Sequence, residues 1–314
     1  MAGGLVMTAL GQALDDYLTV RRQLGFKLQS DGRLLAQFVA FVEQAGQDTV
    51  TTTLAVAWAR QPADVKPHRW RQRLGMVRCF ARYLATIDPA TEIPPTDLLP
   101  ARQQRVAPYI YSITEIDALM SAAGTLRPPV RAVTVQTVIG LLAASGMRIG
   151  EVLALDDTDI DLQDGVITAI GKWGKQREVP LHPSTIAALR NYQKARDRLR
   201  PDRPTRALFI TRHGQRLTKG AFLKAFRELL IEVGLEGAGE RARPRPHDLR
   251  HTFAVRTLIG WHHAGADIRR ELPRLSTYLG HVHPEDTYWY LQAVPELMKL
   301  AARDLDRKLE GGPR

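Results

Sequence analysis

The sequence predicts a mainly α fold in two domains: a small helical bundle, then a mainly α domain carrying a small antiparallel β-sheet. Three observations lead there. Apolar residues recur at helical spacing through most of the chain. Pro94, Pro95 and Pro100 interrupt that pattern near residue 100. A single pair of alternating segments, residues 166–170 and 177–181, is joined by a short connection with a glycine at each end.

Each element has a local reason. Leu10, Leu14, Tyr17, Leu18 and Val20 fall close to a 3.6-residue period, and Gly25 follows as a C-cap. Ser30 and Asp31 are the expected cap of a second helix that holds Leu34, Leu35, Phe38, Val39 and Val42. Thr51, Thr52 and Thr53 open a shorter helix through Trp58, and a fourth runs from Pro67 to Leu84. Residues 1–100 are therefore expected to form one helical domain, 101–106 a linker and 107–314 a second domain. There Ser112 caps a helix, residues 132–144 are strongly apolar, and helix resumes from Ser184 after the strand pair. Near the end, Leu297, Met298, Ala301, Leu305 and Leu309 make one helical stripe, to be buried on its own domain or on another protomer.

Composition narrows the function. Cys79 is the single cysteine, which excludes an intramolecular disulfide and a cysteine-built zinc site. No apolar run reaches the length of a membrane span, and the N-terminus lacks the basic start of a secretory signal, so a cytoplasmic protein is expected. Lysine and arginine number 44 against 33 acidic residues, a net charge of +11. Residues 1–100 contribute 11 basic and 9 acidic residues, so most of the excess lies in the second domain. A phosphate-lined partner selects such an excess, because neutralised phosphates release counterions.

Four segments hold the residues suited to chemistry. Arg148 stands at a helix start after Gly146, with Glu151 three residues on. Lys172 sits in the hairpin between Gly171 and Gly174. Pro246 suits a first helical position, and His247 and Arg250 share a face just after it. His281 follows Leu279 and Gly280, and Tyr290 comes nine residues later. Tyr288 and Tyr290 lie roughly 200° apart on a helix, so only one of them can face a substrate. His247, His251, His281 and His283 raise the question of a metal, but no His-Glu-x-x-His pattern accompanies them.

In order and setting, these segments resemble the tyrosine recombinase (integrase) family over almost the whole second domain. The first arginine motif resembles Gly146-Met147-Arg148-Ile149-Gly150-Glu151, the hairpin lysine Lys172, the His-x-x-Arg pair His247 and Arg250, the Leu-Gly-His box His281, and the nucleophile Tyr290. The chain departs from the family in a longer stretch between Arg250 and His281, and its ending is similar to integrases carried on bacterial transposons. The resemblance implies a core-binding bundle before a catalytic domain and a 3′-phosphotyrosyl intermediate formed without metal, cofactor or ATP. It also implies a double-stranded DNA recombination site as partner, a tetramer on two such sites, and room for partner recombinases. A type IB topoisomerase, or a silent DNA-binding protein on the same fold, is the alternative.

The chemistry fits those residue types. Arg148 and Arg250 each offer a planar, permanently charged fork to a phosphate. Lys172 is the expected proton donor to the leaving 5′-oxygen. A tyrosine pKa near 10 calls for an acceptor, and His247 is the expected one. Arg69, Arg71, Arg73, Arg78 and Arg82 along the fourth helix, with Lys175 in the hairpin, are the expected contacts to the DNA backbone.

Overall fold

The computed structural model describes residues 8–65, 67–99, 107–171, 174–237, 244–283 and 285–293, with residues 291–293 described by their backbone alone. The chain separates into two compact units, residues 1–105 and 106–314. The linker residues 101–106 and the apolar stripe of residues 297–309 lie outside the described residues.

The first unit contains α1 (Ala9–Gln23), α2 (Gln29–Gln44), α3 (Thr52–Arg60) and α4 (Pro67–Leu84). The Thr8 hydroxyl caps α1 by accepting from the Gly11 amide, and Thr51 does the same for α3 at Leu54. Gly25, with φ +89°, takes the left-handed turn expected after α1. The start of α2 differs from the expectation. Leu28, at φ 39°, is the residue before the helix, and its carbonyl accepts from the Gly32 amide at 2.9 Å. Ser30 and Asp31 thus lie inside the first turn, where Asp31 faces the positive end of the helix. Phe38 meets Trp58 edge-on at 5.3 Å, and Val42, Leu74, Val77 and Phe80 close the core around them.

The second unit opens with α5 (Ile113–Thr125), where Ser112 and Glu115 form the reciprocal cap. Next come α6 (Pro129–Ser145) and α7 (Ile149–Ala154), then strands β1 (Ile160–Asp161), β2 (Val166–Ile170) and β3 (Gln176–Pro180). The three strands are antiparallel in the order β1-β2-β3, and β2 meets β3 with Ile167 opposite Val179. The sequence pattern leaves β1 unpredicted, because two residues are too few to show alternation. Helices α8 (Pro183–Leu199), α9 (Lys219–Glu232), α10 (Pro246–His263), α11 (Ile268–Leu279) and α12 (Glu285–Ala293) complete the described chain.

Helix α6 packs against α5, α8 and α10, which explains why apolar residues are spread around most of it rather than along one stripe. Val138, Ile139 and Leu142 on α6 share one core with Ile167, Val179, Phe222, Phe226 and Leu249. A second cluster, built from Ala254, Val255, Leu258, Leu272, Leu275, Leu279 and Tyr290, ties α10, α11 and α12 together. The long stretch between Arg250 and His281 is taken up by the rest of α10 and all of α11. Among the described residues, no helix is long and apolar enough to cross a membrane.

Candidate active site

The end of α6 sets the first arginine. Gly146 closes the helix at φ 59°, in the left-handed region that a side chain resists. A Cβ there would lie 2.5 Å from a ring carbon of Phe253, so α10 also presses against this turn. Two residues on, Arg148 precedes α7 in extended conformation. Its guanidinium donates to Glu151 Oε1 at 2.8 Å and to the Gly280 carbonyl at 2.8 Å, and its amide donates to Glu151 Oε2 at 2.9 Å.

Arg250 comes from the first turns of α10, where Pro246 occupies the expected first position. It is 2% exposed and donates to the carbonyls of Gly146 at 2.8 Å and Leu279 at 2.7 Å. Burial, then the charge of Arg148, pull its pKa down to about 10, still high enough to keep the proton. A third arginine, not singled out in the sequence, joins them from β3. Arg177 donates to the Tyr278 carbonyl at 2.9 Å and grips both oxygens of Glu151, at 3.0 and 2.8 Å. Burial raises the Glu151 pKa, but bonds from Arg177 and Arg148 outweigh it and hold the carboxyl below its usual range.

Three consecutive carbonyls at the end of α11, those of Tyr278, Leu279 and Gly280, therefore receive Arg177, Arg250 and Arg148 in turn. The negative end of the helix dipole points at the same three cations. Gly280, at φ 67°, ends α11 and lets the Arg177 guanidinium lie against its backbone. Three fixed positive charges around the single carboxylate of Glu151 leave an excess suited to an anion.

The histidines and the tyrosine complete the site. His281 shares a 2.7 Å hydrogen bond with Thr287 Oγ1, and its ring stacks near Tyr290 at 6.4 Å. Tyr290 is 1% exposed, whereas Tyr288 is 47% exposed, so α12 turns Tyr290 inward and Tyr288 outward. Burial raises the Tyr290 pKa, and the charge of Arg250 works against that rise. Its hydroxyl lies 2.9 Å from His251 Nδ1. The expected partner, His247, instead sets its ring edge-on to His251 at 4.7 Å and faces solvent. The ring that meets the Tyr290 hydroxyl is thus that of His251, because a four-residue step on α10 carries it deeper, under α12. That step, His247 to His251, was visible in the sequence as one helix face.

Burial first, then nearby cations, depress all three histidines: His247 and His281 to about 4, His251 to about 3. His247 keeps an open side to solvent, whereas His251 and His281 are half-buried. Lys172 lies outside the described residues, but the root of its hairpin is in view. The Gly171 amide donates to the Lys175 carbonyl at 2.8 Å, and a Cβ on Gly171 would sit 3.8 Å from Glu151 Oε1. Lys175 is exposed. Among the described residues, no group of three His, Cys, Asp or Glu is placed to hold a metal ion.

The basic run on α4 divides. Arg73 stacks over Trp58 at 3.6 Å and donates to its carbonyl, while Arg78 donates to the carbonyls of Pro94 and Pro95. Arg69 and Arg82 are exposed, and Arg71 is half-buried.

Residues 112–296 match the Phage integrase family. The chain belongs to that family. A protein of Sinorhizobium fredii named as an integrase/recombinase, y4rB, is 45% identical over 311 residues, covering 97% of this chain and 99% of its own. The tyrosine recombinase XerD of Listeria monocytogenes is 28% identical over 285 residues, 87% of this chain and 90% of its own. Among solved structures, the Tn1549 transposon integrase in complex with transposon right end DNA superposes with a TM-score of 0.67 at 16% identity, covering 95% of this chain and 98% of its own. A lambda integrase tetramer bound to a Holliday junction reaches 0.60 at 17% identity, covering 88% of this chain and 78% of its own. At those identities the solved structures establish the fold: a phage integrase family domain of helices around a small antiparallel sheet.

Proposed function

We propose that this chain is a site-specific DNA recombinase that cuts and rejoins DNA through a covalent bond between Tyr290 and a 3′-phosphate. The observation that carries the reading is the meeting of Arg148 and Arg250 at the end of α11, with His281 and the buried Tyr290 packed beside it. Two guanidinium forks suit the non-bridging oxygens of a phosphodiester, and charge aimed at developing charge is commonly the largest catalytic contribution. His247, on the open side, and His281 bind the same phosphate. Lys172, carried on the hairpin whose root lies beside Glu151, protonates the leaving 5′-oxygen. Bond energy is kept in the phosphotyrosyl ester, so rejoining needs neither ATP nor a metal.

In this reading residues 1–100 bind duplex DNA, with Arg69, Arg71 and Arg82 contributing most. Arg73 and Arg78 combine any such contact with their bonds inside the unit. Lys175 touches the backbone from the hairpin, and four protomers assemble on two DNA sites. A duplex nicked just beyond the cut site traps the covalent adduct in EDTA. Wild type should form it, Tyr290→Phe should not, and both should bind the duplex alike. An adduct that persists in Tyr290→Phe and disappears in Tyr288→Phe moves the nucleophile to Tyr288. Recombination of paired sites, against relaxation of a supercoil by a monomer, separates a recombinase from a topoisomerase.

A further inference from the structure

A tyrosine hydroxyl has to lose its proton as its oxygen bonds to phosphorus. Tyr290 is 1% exposed, so bulk water does not collect that proton. His251 Nδ1 lies 2.9 Å from the hydroxyl, and the two rings meet at 61° with centroids 5.4 Å apart. With its own proton on Nε2, a neutral imidazole presents Nδ1 as an acceptor. Trp289 packs edge-on against the same ring at 5.8 Å and His247 at 4.7 Å, so the imidazole is held in place.

We propose that His251 is the base that takes the Tyr290 proton, and that a DNA phosphate docked on Arg148 and Arg250 makes it basic enough to do so. This rests on Tyr290 being the nucleophile. In cleavage the Tyr290 oxygen bonds to phosphorus while its proton passes to Nδ1 of His251. The bond from phosphorus to the 5′-oxygen breaks, and that oxygen leaves as a hydroxyl, taking its proton from the Lys172 ammonium. In rejoining, the 5′-hydroxyl attacks, its proton returns to Lys172, and His251 returns the other to the departing Tyr290.

The second half of the proposal follows from what surrounds the ring. Arg250 and His247 act on it from α10, Arg245 from just before that helix, His281 from the end of α11, and Tyr290 with Trp289 from α12. Two carboxylates on these elements are engaged: Asp248 pairs with Arg245, and Asp286 acts on His281 and Tyr290. Burial and the cations hold His251 down to about 3. A phosphodiester on the two arginines cancels much of that positive field, and the gathering charge of the transition state cancels more, so the proton affinity of the imidazole rises as the substrate seats. The nucleophile is then activated by the DNA it cuts.

Asparagine separates the roles, because its side-chain oxygen can stand near the Nδ1 position and accept a hydrogen bond but cannot take the proton. Adduct formation in a single turnover is followed from pH 6 to 9.5 for wild type, His251→Asn, His251→Phe and Tyr290→Phe. His251→Asn should bind the nicked duplex normally and cleave about 100-fold slower at pH 7, a loss typical of a missing general base. The deficit should shrink as pH rises, and a ring-fluorinated, more acidic tyrosine at position 290 should restore most of the rate. Cleavage by His251→Asn within about three-fold of wild type at every pH, or a deficit that ignores both pH and fluorination, overturns the proposal. Should His251→Asn not fold, the imidazole nitrogen resonances of His251 decide the matter in the otherwise unaltered chain. They should titrate well below the ordinary range in free Tyr290→Phe protein and move upward when it binds the duplex. An unchanged titration overturns the gating. Absence of adduct in wild type itself would sink the Tyr290 reading instead, which keeps the two failures apart.

Discussion

Arg250 shows why its residue type matters beyond charge. The site lowers its pKa to about 10, and an arginine starts high enough to remain charged. A lysine starts near 10.4, so a comparable fall leaves it partly neutral close to physiological pH. It also lacks the fork that spans the Gly146 and Leu279 carbonyls. Arg250→Lys should therefore cut adduct formation about 100-fold or more, with DNA binding much less affected. Its residual activity should improve as the pH is lowered toward 6. Arg148→Lys, at a half-buried position tied to Glu151, should lose a similar factor. Rates within a few-fold of wild type in both variants would mean that the guanidinium forks do not clamp the phosphate.

At the scale of elements, the turn from α6 into α7 is the most exacting joint in the site. Gly146 has a positive φ, leaves no room for a Cβ beside Phe253, and offers its carbonyl to Arg250. Gly146→Ala should cost about 2 kcal/mol or more, from the left-handed backbone and the clash together, and lower the melting temperature by several degrees. Cleavage should fall further than stability does, because Arg148 follows this turn and Arg250 bonds to its carbonyl; a variant that melts and cleaves like wild type would contradict that. The elements themselves were largely legible in the sequence. Pro67, Ser112 and Pro246 mark helix starts by local chemistry alone, and the hairpin follows from alternation and two glycines. Contacts made across long separations left no such mark. Nothing local in Arg177 announces that it grips Glu151 and the end of α11, and nothing in Tyr290 names His251, thirty-nine residues away. Leu28 misled for the opposite reason, since Ser30 and Asp31 spell a cap more clearly than the residue that actually precedes α2.

For the molecule as a whole, the depressed histidines make a statement about acid. His251 at about 3 and His281 at about 4 stay neutral in the folded chain at pH values where an unfolded histidine, near 6.5, takes a proton. Their contribution to stability is complete above about pH 6.5 and is lost as the pH falls toward 4, because the unfolded chain then binds protons that the folded one refuses. Each can contribute a slope of at most about 1.4 kcal/mol per pH unit in that window. Asp248, whose carboxyl burial pushes up, offsets part of the loss. Chemical denaturation between pH 8 and 5 should show stability level at first and then declining, and replacing His251 with phenylalanine should flatten the decline. A profile that stays flat in wild type would mean that these histidines titrate normally.

The opposite orientations of Tyr288 and Tyr290 on α12 have a consequence for a protein at rest. Reagents that nitrate or iodinate phenols react with what solvent presents to them. Mass spectrometry after brief treatment should find the modification on Tyr288 and leave Tyr290 clean. In the proposed reading, a chain waiting between encounters with DNA keeps its attacking oxygen out of circulation, safe from stray electrophiles and unable to reach a passing ester.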